Sequence, residues 1–318
     1  ELFVPPDDRP GEGGGEGMKP TFPHDISKLD SEALRNKLYR ITPQAIDDVF
    51  TLALDAVDAL ALGQDDEPDL LVVSISTTDF IGHNYGPDSL EQLDTLRRAD
   101  VSLRRFLAAL DARVHQRYVV AVSADHGAPP LPLAAEGARY PHGILLETDV
   151  EAAAQNAAAA ALPKDSKKRV LGYLPPHITL DIADLAPDAQ RKVKNAVMAA
   201  VEAVPGVARV YDFDDPAAVD PLEPLMRASH YPGRTGVLAV RQRARVVTLN
   251  NAQKTGTDHG TPYTYDRRVP VLFAGPGVKR GRYAQPIDPR DVAPTLAFLL
   301  HVAPPDMCEG KPVVAVGD

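Results

Sequence analysis

Asp79-Phe-Ile-Gly-His83, Asp125-His126-Gly127 and Asp258-His259-Gly260 gather carboxylates and imidazoles into three short clusters. Carboxylate oxygen and imidazole nitrogen are donors that zinc takes in catalytic sites, commonly three protein ligands with a further position left open for water or substrate. Asp79, His83 and His259 make one such set, while Asp125 and His126 make about half of a second four-coordinate shell. Two metals about 4 Å apart can clamp both oxygens of an in-line phosphoryl displacement. A single Asp-His pair is usually a cap or a turn, but three of them, each with a glycine, are expected to share one site. Asp258 is assigned to a turn or to orienting the neighbouring imidazole rather than to a metal. Gly82, Gly86 and Gly127 would let the backbone turn tightly beside these groups. Thr77, Thr78 and Thr261 read as strand-end or turn residues rather than nucleophiles, and His24, His115, His142, His177, His230 and His301 as structural or exposed.

The elements that must position these clusters are legible as apolar runs. Leu70-Leu-Val-Val-Ser-Ile-Ser76 and Tyr118-Val-Val-Ala-Val-Ser-Ala124 read as buried strands of the kind found in parallel sheets covered on both faces. Ligands collect beyond the carboxyl ends of such strands, where Asp79 and Asp125 fall. Thr42-Pro43 predicts a helix start, followed by Ile46, Phe50, Leu54, Val57 and Leu60 at helical spacing. Asp88 and Glu91 resemble a capping box opening a long amphipathic helix that ends near Arg113. Strand, helix and strand together predict a right-handed crossover unit.

With 318 residues, 44% hydrophobic and 25% charged, the chain is long enough to bury a substantial core. A formal net charge of -10, without a dense Lys/Arg stripe, argues against binding a nucleic-acid polymer or an anionic membrane surface. No stretch approaches the roughly 18 apolar residues of a membrane span. The one cysteine, Cys308, cannot form an internal disulfide and reads as a packed or idle thiol. The start lacks a signal peptide and an initiating Met, and residues 8 to 17 read as a flexible loop or linker, so an upstream segment is expected.

Residues 147–230 differ in character, with an Ala-rich run at 152–161, a basic patch at 164–169 and strand and helix signals of their own. Pro187 starts a helix carrying Val193, Val197, Val201 and Val204, Pro205-Gly206 stops it, and Val207–Tyr211 is strand-like and could pair with Ile178–Ile182. Residues 236–249 alternate like a hairpin or edge strand, Val269–Ala274 is a core strand with Pro270 at its start or edge, and Asp291 opens a last helix. The expected organisation is a catalytic core at 1–146 and 231–318, interrupted by a smaller α+β subdomain at 147–230.

Ser76–Pro87, Ser123–Gly127 and Gly256–Tyr263, with Phe22-Pro-His24, the Tyr265-Asp266 to Gly275 stretch and Asp291–Leu296 as context, resemble the metal motifs of the alkaline phosphatase superfamily. The similarity is to its bacterial type I phosphodiesterase/nucleotide pyrophosphatase branch, which includes phosphate-irrepressible alkaline phosphatases. It implies an α/β fold with a mostly parallel sheet flanked by helices. It also implies two Zn(2+), one held by Asp79, His83 and His259 and the other by Asp125 and His126. The family's second zinc is completed by an aspartate and a Thr or Ser nucleophile upstream of the region represented here, so the nucleophile is expected before Glu1. The segment after Gly127, through Pro129-Pro130 to Glu147, departs from the family pattern.

The function implied is hydrolysis of a small phosphate monoester through a covalent phosphoryl-enzyme, in the periplasm or outside the cell. The missing N-terminal segment, as a separate polypeptide, is an expected partner. Phosphodiester or nucleotide pyrophosphate cleavage is the alternative on the same metal frame. A non-catalytic module braced by metals is the alternative of another class, and an intact upstream nucleophile would oppose it.

Overall fold

The computed structural model describes residues 4–13, 18–135, 139, 141–163, 167, 169–215, 220–250 and 255–317. Most of the basic patch, Tyr140 and the last part of the Gly-rich start lie outside these residues. In chain order the elements are α1 (Glu32–Tyr39), α2 (Gln44–Ala59), α3 (Thr77–Tyr85), α4 (Leu90–Val114), β1 (Val120–Ser123), β2 (Gly143–Leu146) and α5 (Glu147–Ala161). They continue with β3 (Val170–Leu174), β4 (His177–Leu180), α6 (Pro187–Glu202), β5 (Val207–Asp212), α7 (Glu223–Ala228) and β6 (Leu238–Gln242). The last are β7 (Val246–Leu249), α8 (Thr264–Arg267), β8 (Val271–Ala274) and α9 (Val292–Leu299). The fold is α/β, as expected. Two compact units share the chain, one made of residues 1–25, 81–92 and 126–268, the other of 26–80, 93–125 and 269–318.

In the first unit, β3, β4, β6 and β5 form a four-stranded antiparallel sheet in that order. Its core is closed by α5 and α6. Val193, Val197 and Val201 recur at helical spacing and are fully buried with Val150 and Ala154 against Ile178, Val210, Leu238 and Val240. The start of α6 at Pro187 and its stop before β5 match the sequence reading. Two expectations are corrected. β6 lies between β4 and β5, so 178–182 and 207–211 are not neighbours. Residues 236–249 do not form a hairpin, because β6 joins the four-stranded sheet while β7 pairs in parallel with β2. Alternation reports which side chains are buried, not which strand lies alongside.

In the second unit, α2 and α4 pack through Ile46, Phe50, Ala53 and Phe106, the two Phe rings 5.1 Å apart. β1 pairs antiparallel with β8, whose first residue follows Pro270 as expected. Residues 70–76 form no strand. Val73 and Ile75 pack on the α2/α4 cluster, while Leu70 and Val72 stay 75% and 78% exposed. The predicted crossover unit is therefore not formed: the segment has the apolar content of a strand but no hydrogen-bonded neighbour among the described residues, and a ladder needs two chains.

The start of α4 also differs. Ser89, one residue later than predicted, accepts a hydrogen bond from the Gln92 amide at 3.0 Å, and the Glu91 carboxylate turns to His24 instead of closing a box with Asp88.

Candidate metal centre

Helix α3 carries Asp79 and His83 one turn apart, a spacing that puts both side chains on one helix face. Asp79 belongs to the second unit's segment and His83 to the first unit's. Asp125 closes the second unit's 93–125 segment directly after β1, and its bonded neighbour His126 opens the first unit's 126–268 segment.

Within the first unit the structure brings three of the predicted imidazoles together. The rings of His126 and His259 stack with centroids 3.3 Å apart, and His83 lies 5.0 Å from His259. His83 is held at two points by the loop before His259: its carbonyl accepts from the Thr257 amide at 2.9 Å, and its Nδ1 donates to the Thr257 carbonyl at 2.8 Å. A carbonyl can only accept, so Nδ1 carries the proton and Nε2 keeps its lone pair. His126 has the same arrangement, its Nδ1 lying 3.1 Å from the Gly127 carbonyl. Backbone carbonyls that fix the tautomer in this way are the usual support of metal-ligating histidines. Thr257, 1% exposed, anchors the loop by donating from its hydroxyl to the Pro129 carbonyl.

Asp258, assigned from sequence to a turn or to orienting the neighbouring imidazole, lies beside both His259 and His83. Its Oδ1 accepts from the His259 amide at 2.8 Å and lies 3.9 Å from His83 Nδ1. One ligand atom from each of His83, Asp258 and His259 falls within 4.8 Å of the others, a spacing that can surround one metal ion.

Two further acidic residues border the site: Asp266, in the Tyr265–Gly275 stretch that carries part of the resemblance, and Glu147, which was not marked as a site residue from sequence. Asp266, 2% exposed, accepts from the Thr261 amide at 2.7 Å; burial raises its carboxyl above the ordinary range, against the lowering effect of its Thr261 hydrogen bonds and, less, of His259 and His126. Glu147, at the start of α5, is raised by burial and then by the charge of Asp258. Nothing in the local sequence of Glu147 marks it, since the two carboxylates approach only through the tertiary fold.

Of the three glycines beside the motifs, Gly127 is required by close approach. Its amide donates to the Asp266 carbonyl at 2.7 Å, and a Cβ there would meet the Tyr265 carbonyl at 2.3 Å. Gly86 takes a φ of +89° that favours glycine, whereas a Cβ on Gly82 would meet nothing.

Alkaline phosphatase PafA of Elizabethkingia meningoseptica is 31% identical over 95% of this chain and 55% of its own length. Alkaline phosphatase PhoK of a Sphingomonas species is 28% identical over 86% of the chain and 51% of its own length. The chain thus spans about half the length of the curated relatives it matches. The crystal structure of wild-type PafA superposes with a TM-score of 0.87 at 28% identity, over 99% of this chain and 60% of that one. Murine ectonucleotide pyrophosphatase/phosphodiesterase 5, at 16% identity and a TM-score of 0.54, shares the fold. The family model for type I phosphodiesterase/nucleotide pyrophosphatase matches residues 3–262, and the chain belongs to that family.

Proposed function

We propose that this chain supplies most of the metal centre of a two-zinc phosphate monoester hydrolase of the alkaline phosphatase type. The observation that carries the reading is the convergence of His83, His126 and His259 with Asp258, two of the imidazoles having Nδ1 tied to a carbonyl. This donor set fits zinc: neutral imidazoles presenting Nε2 and an ionised carboxylate match its ligand preferences.

Asp79, His83 and His259 would hold one ion, and Asp125 with His126 would hold the other. When bound, the ions stabilise charge that develops on phosphoryl oxygens and lower the pKa of water. The chain's own contribution is positional. Thr257 holds His83 at its backbone carbonyl and at ring Nδ1, and the Gly127–Asp266 contact fixes the backbone beside His126. Asp258 sets the His259 amide and adds negative charge between the rings.

The nucleophile, which would form a covalent phosphoryl-enzyme, is assigned to a segment N-terminal to Glu1. Support comes from the span of about half the relatives' length and from the exposed apolar edge at Leu70 and Val72, which has the makings of an inner strand. Residues 147–230, with β6 completing their sheet, form an inserted subdomain, and the complete protein acts in the periplasm or outside the cell on a small phosphate ester. Among the described residues no helix is long and apolar enough to cross a membrane. A second reading, phosphodiester or nucleotide pyrophosphate cleavage, is favoured by the description of the matching family.

The test is zinc-supplemented hydrolysis of an aryl phosphate monoester beside its matching diester, with metal content measured on the same sample. Residues 1–318, free of other polypeptides, should bind zinc without turnover, and the complete protein should turn over the monoester faster. Faster diester cleavage selects the second reading, and turnover by the isolated chain refutes the upstream nucleophile. His259→Ala should lower the bound zinc; unchanged zinc content would refute the ligand assignment.

A further inference from the structure

Phe22-Pro-His24 takes no part in the centre above, and the structure gives it a different setting. His24 Nε2 donates to Glu91 Oε1 at 2.9 Å, and the imidazole lies against Tyr85 with ring centroids 5.1 Å apart. Glu12 completes the group, its carboxyl raised by burial and facing the charge of Glu91. Glu12, Tyr85 and Glu91 are 7%, 1% and 3% exposed.

One oxygen of Glu12 accepts from the Arg9 amide at 2.7 Å. The other oxygen, the Tyr85 hydroxyl and His24 Nδ1 are buried with no hydrogen-bond partner among the described residues. Buried polar atoms are nearly always satisfied, so three in one cluster call for a shared occupant. Because Nε2 of His24 carries the proton given to Glu91, its Nδ1 is an acceptor. The groups facing inward are thus a carboxylate oxygen, an imidazole lone pair and a phenol oxygen, beside a second carboxylate. That set calls for positive charge.

We propose that Glu12 and Glu91, with the Tyr85 hydroxyl and His24 Nδ1 placed directly or through water, hold a divalent cation of the calcium class. Carboxylate oxygens are hard donors, and calcium accepts 6–8 ligands in flexible geometry at about 2.3–2.6 Å. Carboxylate and phenol oxygens suit calcium better than zinc, whose small, near-tetrahedral sites favour imidazole and thiolate. A cation here would tie the 4–13 loop to the first turn of α4.

The chain has ten tyrosines and no tryptophan, so terbium bound in this cluster would be excited through tyrosine alone. The zinc-loaded chain should give tyrosine-sensitised terbium emission that added calcium displaces. Tyr85→Phe should remove most of that emission, and Glu12→Gln should weaken calcium binding on the order of tenfold. Calcium should raise the melting temperature of the wild type and leave Glu12→Gln unmoved, with far-UV circular dichroism confirming that both variants fold. His259→Ala should keep the signal, which separates this cluster from the zinc centre. Absence of emission, or emission that survives both Tyr85→Phe and Glu12→Gln, would overturn the proposal and leave ordered water as the occupant.

Discussion

The two sheets that carry the first and second units are closed to different degrees. In the four-stranded sheet, inward side chains on β4, β5 and β6 meet a full layer from α5 and α6, and Ile178, Val193, Val197 and Leu238 are wholly buried. In the two-stranded β1/β8 sheet, Val122 and Leu272 are 38% and 57% exposed, and Leu70 and Val72 of the same unit are more so. Apolar surface left in water forgoes about 25 cal/mol for each Å² that burial would have removed. The same kind of residue therefore stabilises one region and contributes little in the other. Apolar character alone does not reveal which.

The largest test of that contrast is a cavity in the closed core. Ile178→Ala should cost about 3–5 kcal/mol, read from the urea midpoint of far-UV signal. A loss near that of an exposed site would mean that the core is loosely packed.

A smaller effect is expected at the ion pair that joins α6 to the sheet's far end. Lys194, 8% exposed, contacts Asp212 at 2.7 Å and the solvent-facing Asp214 at 3.0 Å. Burial alone would lower the lysine, but the hydrogen bonds it donates to Asp212 and Asp214 outweigh it and leave the ammonium raised. A lysine raised on folding adds stability that is complete below its unfolded pKa and disappears as pH climbs through the folded value. Lys194→Met should cost about 2 kcal/mol at neutral pH, less than for a fully enclosed pair because Asp214 faces water. The difference from wild type should shrink above the ordinary lysine range, and a gap that stays constant through that range would rule out the charge as its cause.

Much of this architecture is legible in the sequence because it is local. Pro187 and Pro205-Gly206 bound α6, Pro270 precedes β8, and the Val stripe of α6 gives its buried face, since each depends only on chemistry within a few residues. The imidazoles are legible by type, and the fold brings His83, His126 and His259 together. What a sequence withholds is partnership between distant segments. β6 separates β4 from β5, Glu147 approaches Asp258, and 70–76 lacks a neighbour, all for reasons tens of residues away. The Asp258 side chain could also be read as a turn residue, because the Asx-type bond to the next amide is real; its second role beside His83 needs the α3 helix in place.

The cap of α4 gives a finer test of local reading. Ser89→Ala should cost about 1 kcal/mol, and Asp88→Ala much less, because only Ser89 accepts from the Gln92 amide. Equal losses in thermal denaturation would restore Asp88 as the cap.

The smallest effect expected is at the open edge, where it decides most about the comparison. In this chain Leu70→Asn and Val72→Asn should each change stability by no more than about 0.5 kcal/mol, as at surface positions generally. If an N-terminal segment of the complete protein lies against this edge, the same substitutions there should each cost about 1.5–3 kcal/mol, the value of burying one aliphatic side chain. Measuring both in the short and complete proteins separates two origins for the exposed apolar run. A cost that appears only in the complete protein identifies 70–76 as a strand awaiting its neighbour. No cost in either would leave Leu70 and Val72 as surface residues and remove one support for the upstream segment.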